Sequence, residues 1–267
     1  MPNDVAEVDL SGIRSLAPEE IDHFRTHGWA KLEQVIPRRL TDQLLVIAKE
    51  NMGADAEDPR FNSRGSRYSA WPRAAREHPW LRTVSQSREI GSIPTSLTGG
   101  RALRWYTDIF MAKRPAQDGG SRTPWHQDLP HQPFDRGGAL TLWIPLVDCP
   151  AERGSMRFLS GSVAAGPLGR FGLRKDGIDI VDFYPDVVDR YPISPAIDLQ
   201  VGDVTVHDFL TVHSARDNIT DTTRWVYAVT FFPAETLYNG AASNNTQGID
   251  LRLDEEFDDE IFPVIPT

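Results

Sequence analysis

The chain has one cysteine, Cys149, which excludes an intramolecular disulfide framework and any cysteine-based metal cluster. Positive charge is scarce too: 28 Lys and Arg against 38 Asp and Glu leave a formal net charge of −10. Non-specific nucleic-acid binding needs a basic surface, so no nucleic-acid partner is expected. The same balance weighs against a large polyanionic substrate such as a CoA thioester. No apolar run approaches membrane-spanning length, and no membrane partner is expected. Met1-Pro2-Asn3-Asp4 lacks the basic and apolar regions of a signal peptide, and Pro263–Thr267 carries no peroxisomal tripeptide. The expected location is therefore cytoplasmic. P-loop, Rossmann glycine fingerprint and nucleophile elbow are all missing.

What is present is enough apolar material, 40% of 267 residues, for a single domain with a packed core. Residues 1–100 read as a mainly helical support region. Pro18 with Glu19 and Glu20 opens a helix ending near Gly28, and residues 30–36 read as a strand. After Pro37 a second helix carries Leu40, Leu44 and Ile47 at helical spacing and stops at Gly53. Residues 54–67 read as a polar surface loop, and helical pieces over 73–90 are broken at His78-Pro79. From Arg101 the pattern changes to strands bounded by Gly and Pro, near 101–111, 139–147, 155–160, 195–207 and 224–233. The predicted fold is mainly β, a jelly-roll core over 101–235 with N-terminal and flanking helices. Segment 164–195 is too long for a hairpin and is expected to be an active-site lid. The acidic run Asp254–Glu260 reads as a solvated face.

Chemistry concentrates in Trp125-His126-Gln127-Asp128, in His213, and in Arg224 at the head of an apolar strand. Two imidazoles and a carboxylate on one face of Fe(II) leave positions open for small molecules and dioxygen. On a strand, positions i and i+2 share a face, so His126 and Asp128 would point together and Gln127 away. A buried guanidinium at Arg224 needs an anion, and its planar fork matches a carboxylate. A dicarboxylic cosubstrate supplies one; a structural ion pair with Asp203 or Asp221 is the plain alternative. His207 and His213 are six apart and share strand parity, so periodicity does not choose between them. Their spacing to Asn218 and Arg224 favours His213, leaving His207 as a core or supporting residue. His23 and His27 are four apart, yet Phe24 stands where a zinc-protease motif needs Glu.

The chain resembles the phytanoyl-CoA dioxygenase family of Fe(II)/2-oxoglutarate-dependent oxygenases. The matching stretches are Pro124–Asp128, Leu140–Leu146, Gly154–Ser162 and His207–His213 running on to Asn218 and Arg224. The resemblance implies a metal site of His126, Asp128 and His213. Arg224 would hold the distal carboxylate of 2-oxoglutarate, with Trp143 and Asn218 also at the cosubstrate. Two departures stand out: Ala215 replaces a usual hydroxyl residue, and Ser160-Gly161-Ser162-Val163 lacks the final histidine of a Pro-Gly-Ser-His turn.

The cofactors so implied are Fe(II), 2-oxoglutarate and O2, with succinate and carbon dioxide as co-products. The expected reaction is oxidation of an unactivated C–H bond in a small, partly apolar metabolite of specialised biosynthesis. Its outcome would be hydroxylation, cyclisation, epimerisation or desaturation. Chlorination needs a vacant ligand position, which Asp128 fills. Trp105, Tyr106, Phe110, Trp125, His131, Phe183 and Tyr184 are candidate substrate contacts. The competing class is a non-redox cupin-like isomerase or ligand-binding protein, which would leave Arg224 without a task. A monomer or homodimer is expected.

Overall fold

The computed structural model describes residues 8–62, 67–119, 121–171 and 178–266. The extreme N-terminus, the last residue and part of the expected lid lie outside these. Helix α1 (Pro18–His27) begins with Pro18 at its first position, and the Glu20 carboxylate accepts the Ala17 amide at 2.8 Å. It stops at Gly28, whose φ of 77° is the left-handed helix end that glycine permits. Strand β1 (Trp29–Leu32) is shorter than the expected 30–36, because Gln34 takes a φ of 48° and turns the chain. Helix α2 (Arg38–Met52) buries Leu40 and Leu44, with Ile47 at the margin. The polar stretch after it, of which 63–66 lie outside the described residues, leads into an unexpected strand, β2 (Ser69–Pro72). Helices α3 (Ala74–Glu77), α4 (Pro79–Ser85) and α5 (Arg88–Leu97) follow, with the break at His78 where it was expected.

The remaining strands are β3 (Leu103–Lys113), β4 (Thr123–His126), β5 (Leu140–Pro145), β6 (Met156–Phe158), β7 (Val204–Asp208), β8 (His213–Ala215) and β9 (Arg224–Pro233). They form two antiparallel sheets, a six-stranded one ordered β1-β7-β5-β9-β3-β2 and a three-stranded one ordered β4-β8-β6. This is a jelly roll whose larger sheet takes both edges, β1 and β2, from the first hundred residues. Short turns of helix, α6 (Ile180–Phe183) and α7 (Val187–Arg190), lie in segment 164–195.

Strand alternation divides the larger sheet into two uses. Leu142 and Ile144 of β5, Val204 and Val206 of β7, and Tyr227 and Val229 of β9 join the helices in the main core. Truncating one such side chain to Ala costs about 2–5 kcal/mol. Trp143, His207, Arg224, Ala228 and Thr230, one place out of phase, face a cavity between the sheets. On β3 the phase changes midway: a bulge between Trp105 and Thr107 shifts the register against β9. Leu103 and Trp105 therefore reach the helix-side core before the bulge, and Phe110 and Ala112 after it. The acidic run is solvated apart from Phe257, which is buried in an aromatic cluster with Phe134, Phe232 and Phe262.

Candidate metal centre

His126 ends β4 and stands directly opposite His213 on β8, so one cross-strand pair delivers both imidazoles to the cavity. Their ring centres are 4.2 Å apart. Asp128 arrives differently from the expected strand alternation. The strand stops at His126, the chain turns at Asp128 (φ −79°, ψ −39°), and the Asp128 amide donates to Phe209 O at 3.0 Å. Asp128 Oδ1 then lies 3.7 Å from His126 Nε2 and 3.9 Å from His213 Nε2. One donor atom from each of the three falls within 4.8 Å of the others.

Hydrogen bonds decide which nitrogens can be ligands. His126 Nδ1 donates to Pro124 O at 2.8 Å and His213 Nδ1 to Thr211 O at 2.9 Å. Each Nε2 therefore carries a lone pair toward Asp128, the arrangement by which partners on the far nitrogen orient metal-binding histidines. His207 is built the other way. Its Nε2 lies 3.4 Å from Asp128 Oδ2, and a carboxylate accepts, so that nitrogen carries the proton. Burial lowers the His126 pKa, and burial with the neighbouring imidazoles of His126 and His207 lowers that of His213 well below the usual range, favouring neutral ligands. Burial alone would push the Asp128 carboxyl up, but the imidazoles, His213 foremost, hold it below the ordinary carboxylate range. Gln127 points away as expected, donating to Gly166 O and Leu210 O and accepting from the Leu168 amide.

The opposite end of the cavity is cationic. Arg224 is 2% exposed, and its Nη1 donates to Gly154 O at 2.7 Å. Its guanidinium carbon lies 5.2 Å from the Trp143 ring centre, and its Nε is buried without a partner. Gly154 holds its carbonyl there with a φ of 76°, and a Cβ on it would come within 2.7 Å of Arg216 O. Lys113, the cross-strand partner of Arg224, is fully buried and donates to Arg216 O at 2.9 Å. Neither suspected carboxylate reaches Arg224: Asp203 pairs with Lys31 at 3.3 Å and with Gln34, and Asp221 is exposed. Among the described residues no carboxylate pairs with either cation. Burial, and for Lys113 also the charge on Arg224, lowers the pKa of both. This end has the donors and the unmet charge that a dicarboxylate's far carboxyl would satisfy, so its residues fit 2-oxoglutarate as the triad fits iron.

The cavity between the two ends measures about 260 Å³ and is partly apolar, with Ile109, Met111, Trp143, Met156 and Phe209 in its wall. It shares Pro72, Ile109, Gln132 and Asn245 with an outer vestibule of about 1110 Å³. That vestibule is polar, carrying Arg73, His131, Arg170, Ser243, Asn244 and Gln247.

Several expected site residues sit elsewhere. Asn218 is buried in the turn before β9, donating to Lys113 O and Thr222 O and accepting from Thr220, so it shapes the approach to Arg224. Phe110 packs on Trp71 and Tyr227 in the helix-side core, as the β3 bulge dictates. Trp125 alternates away from His126 and stacks under Arg157, 4.9 Å from its guanidinium carbon. Phe183 is 55% exposed and packs with Phe171 and Tyr184 outside the cavity. His131 is on the vestibule wall, with Nε2 donating to Phe171 O at 3.3 Å, and Tyr106 lines the inner cavity. Ala215 faces the cavity, while Ser214 turns away to accept from Arg157. Tyr68 of the unexpected β2 approach and Asn244 and Asn245 of the C-terminal coil line the spaces without any periodic signal in the sequence.

A sequence model of the family described as phytanoyl-CoA dioxygenase matches residues 16–226. No curated protein gives a significant match. Among solved structures the chain is similar to the non-heme alpha ketoglutarate dependent carbocyclase SnoK from nogalamycin biosynthesis, with 24% identity and a TM-score of 0.80 over 97% of this chain and 100% of that one. The epimerase SnoN in complex with Fe3+, alpha ketoglutarate and nogalamycin RO is 25% identical, with a TM-score of 0.76 over 93% of this chain and 98% of that one. EctD from S. alaskensis with 2-oxoglutarate and 5-hydroxyectoine is 16% identical, with a TM-score of 0.69 over 87% and 80% of the two chains.

Proposed function

The chain belongs to the phytanoyl-CoA dioxygenase family, and on that premise we propose that it is an Fe(II)/2-oxoglutarate-dependent oxygenase acting on a C–H bond of a small metabolite. One observation carries the reading: a single cavity with a His-Asp-His triad at one end and, at the other, a buried guanidinium that no carboxylate pairs with among the described residues. His126, Asp128 and His213 would hold the iron, and Arg224 beside Trp143 would take the distal carboxylate. When bound, iron with 2-oxoglutarate and dioxygen supplies the oxidising chemistry, releasing succinate and carbon dioxide. The protein contributes position, since fixing the cosubstrate at both ends sets where oxidation occurs. Lys113 adds positive potential at the anion end without reaching the cavity wall.

The substrate we propose has a compact, partly apolar reacting portion in the inner cavity and a polar periphery in the vestibule. Segment 164–195, through Arg170, would shape access to it. Because SnoK is a carbocyclase and SnoN an epimerase, cyclisation and epimerisation stand beside hydroxylation as outcomes. The test is anaerobic addition of Fe(II) and then 2-oxoglutarate. A weak visible charge-transfer band should develop, and succinate should form once oxygen is admitted. A protein giving neither would belong with the non-redox isomerases or binding proteins.

A further inference from the structure

His207 is left over when the triad is assigned. It is 2% exposed, one β7 residue between Trp29 of β1 and Thr141 of β5, and its ring centre is 4.3 Å from that of His213. Its Nε2 proton is directed at Asp128 Oδ2, whereas Oδ1 of the same carboxylate lies between the two ligand imidazoles. The two carboxylate oxygens thus have different neighbours before any metal arrives. We infer that His207 is a positioning residue that keeps Asp128 a one-oxygen ligand. The inference rests on the iron reading above.

The consequence follows from counting positions. Two imidazoles and one oxygen fill one face of a six-position ion and leave the other face for cosubstrates. A carboxylate free to turn would offer both oxygens and occupy one of those positions. A donor fixed on Oδ2 removes that choice, and the β7 register fixes the donor. Partners of this kind, one bond away from the metal, are worth about 10–100-fold in metal affinity or activity.

The experiment compares His207→Phe, which fills the volume without a donor, with His207→Gln, whose amide can reach Oδ2. Fe(II) affinity is measured anaerobically by equilibrium dialysis, and the Fe(II)–2-oxoglutarate band by absorption. We expect the Fe(II) affinity of His207→Phe to change roughly 10–100-fold with a shifted band, and His207→Gln to restore both. Unchanged affinity and an unchanged band in His207→Phe would overturn the inference while leaving the iron reading intact. Should His207→Phe not fold, His207→Asn replaces it, its shorter amide falling short of Oδ2; equal behaviour of the Asn and Gln variants would overturn the inference. A wild-type protein that takes up no Fe(II) and shows no band would remove the iron reading itself.

Discussion

The two ends of the cavity are finished to different degrees. At the proposed metal end each candidate ligand is oriented in advance: Nδ1 of His126 and of His213 is anchored on a backbone carbonyl, and Asp128 is flanked by imidazoles. At the anion end Arg224 and Lys113 each have a backbone carbonyl as partner, and among the described residues no carboxylate forms an ion pair with either. Two neutral imidazoles around one hydrogen-bonded carboxylate cost less to keep ready than a buried charge without a counter-charge. Two buried cations cost several kcal/mol each in desolvation, a strain that a dianionic cosubstrate relieves. The first end is built for geometry and the second for charge.

That contrast is tested most severely at the metal end. His213→Ala should lower Fe(II) affinity by more than about a hundredfold, since even outlying partners of a metal site are worth 10–100-fold. It should leave the anion end intact, so dialysis against Fe(II) fails while the melting temperature of the metal-free protein changes little. Arg224→Gln comes next. Losing one partner of a buried charged contact costs about 2–5 kcal/mol, about 30- to several-thousand-fold in 2-oxoglutarate affinity by titration. Fe(II) binding alone should be unaffected, which separates the two ends directly.

Lys113→Met should have the smallest effect and the most diagnostic sign. Burial, then the charge on Arg224, depresses the Lys113 pKa far below its ordinary value. Between that value and the unfolded one, the native state binds fewer protons than the unfolded state, so stability from this residue rises with pH. Replacing it with Met should stabilise the cosubstrate-free protein by about 1 kcal/mol or more and flatten that rise. It should also weaken 2-oxoglutarate binding. Chemical denaturation at two pH values, with and without 2-oxoglutarate, would read both effects; a loss of stability in the free protein would contradict the charge-strained picture of this end.

Much of this arrangement is legible in the sequence, and the parts that are not have identifiable causes. His126, Asp128, His213 and Arg224 stand out because one site needs those side-chain types in that order. Asp128 reaches the cavity by a turn after β4 and not by the strand alternation that its spacing from His126 suggests. Phe110 is misread because a bulge between Trp105 and Thr107 reverses the facing of everything after it, and no periodicity announces a bulge. Asn218 is recognised as part of a pattern, but its four polar contacts shape the turn before β9 and tie it to Lys113 of β3. The vestibule residues Ser243–Gln247 lie in successive turns, where no repeat signals which side chains face inward. His207 shares the parity of His213, and only the placement of its proton separates a ligand from a supporter.

The cross-strand pairing of His126 with His213, and of Lys113 with Arg224, ties the chemistry to sheet register. A one-residue slip of β8 would send its histidine to the opposite face, so an insertion there abolishes the reaction outright. The same insertion among residues 241–247 would only remould the outer chamber. The scaffold can therefore be refitted for a new guest by editing a loop, while the oxidising machinery beneath it stays as it was.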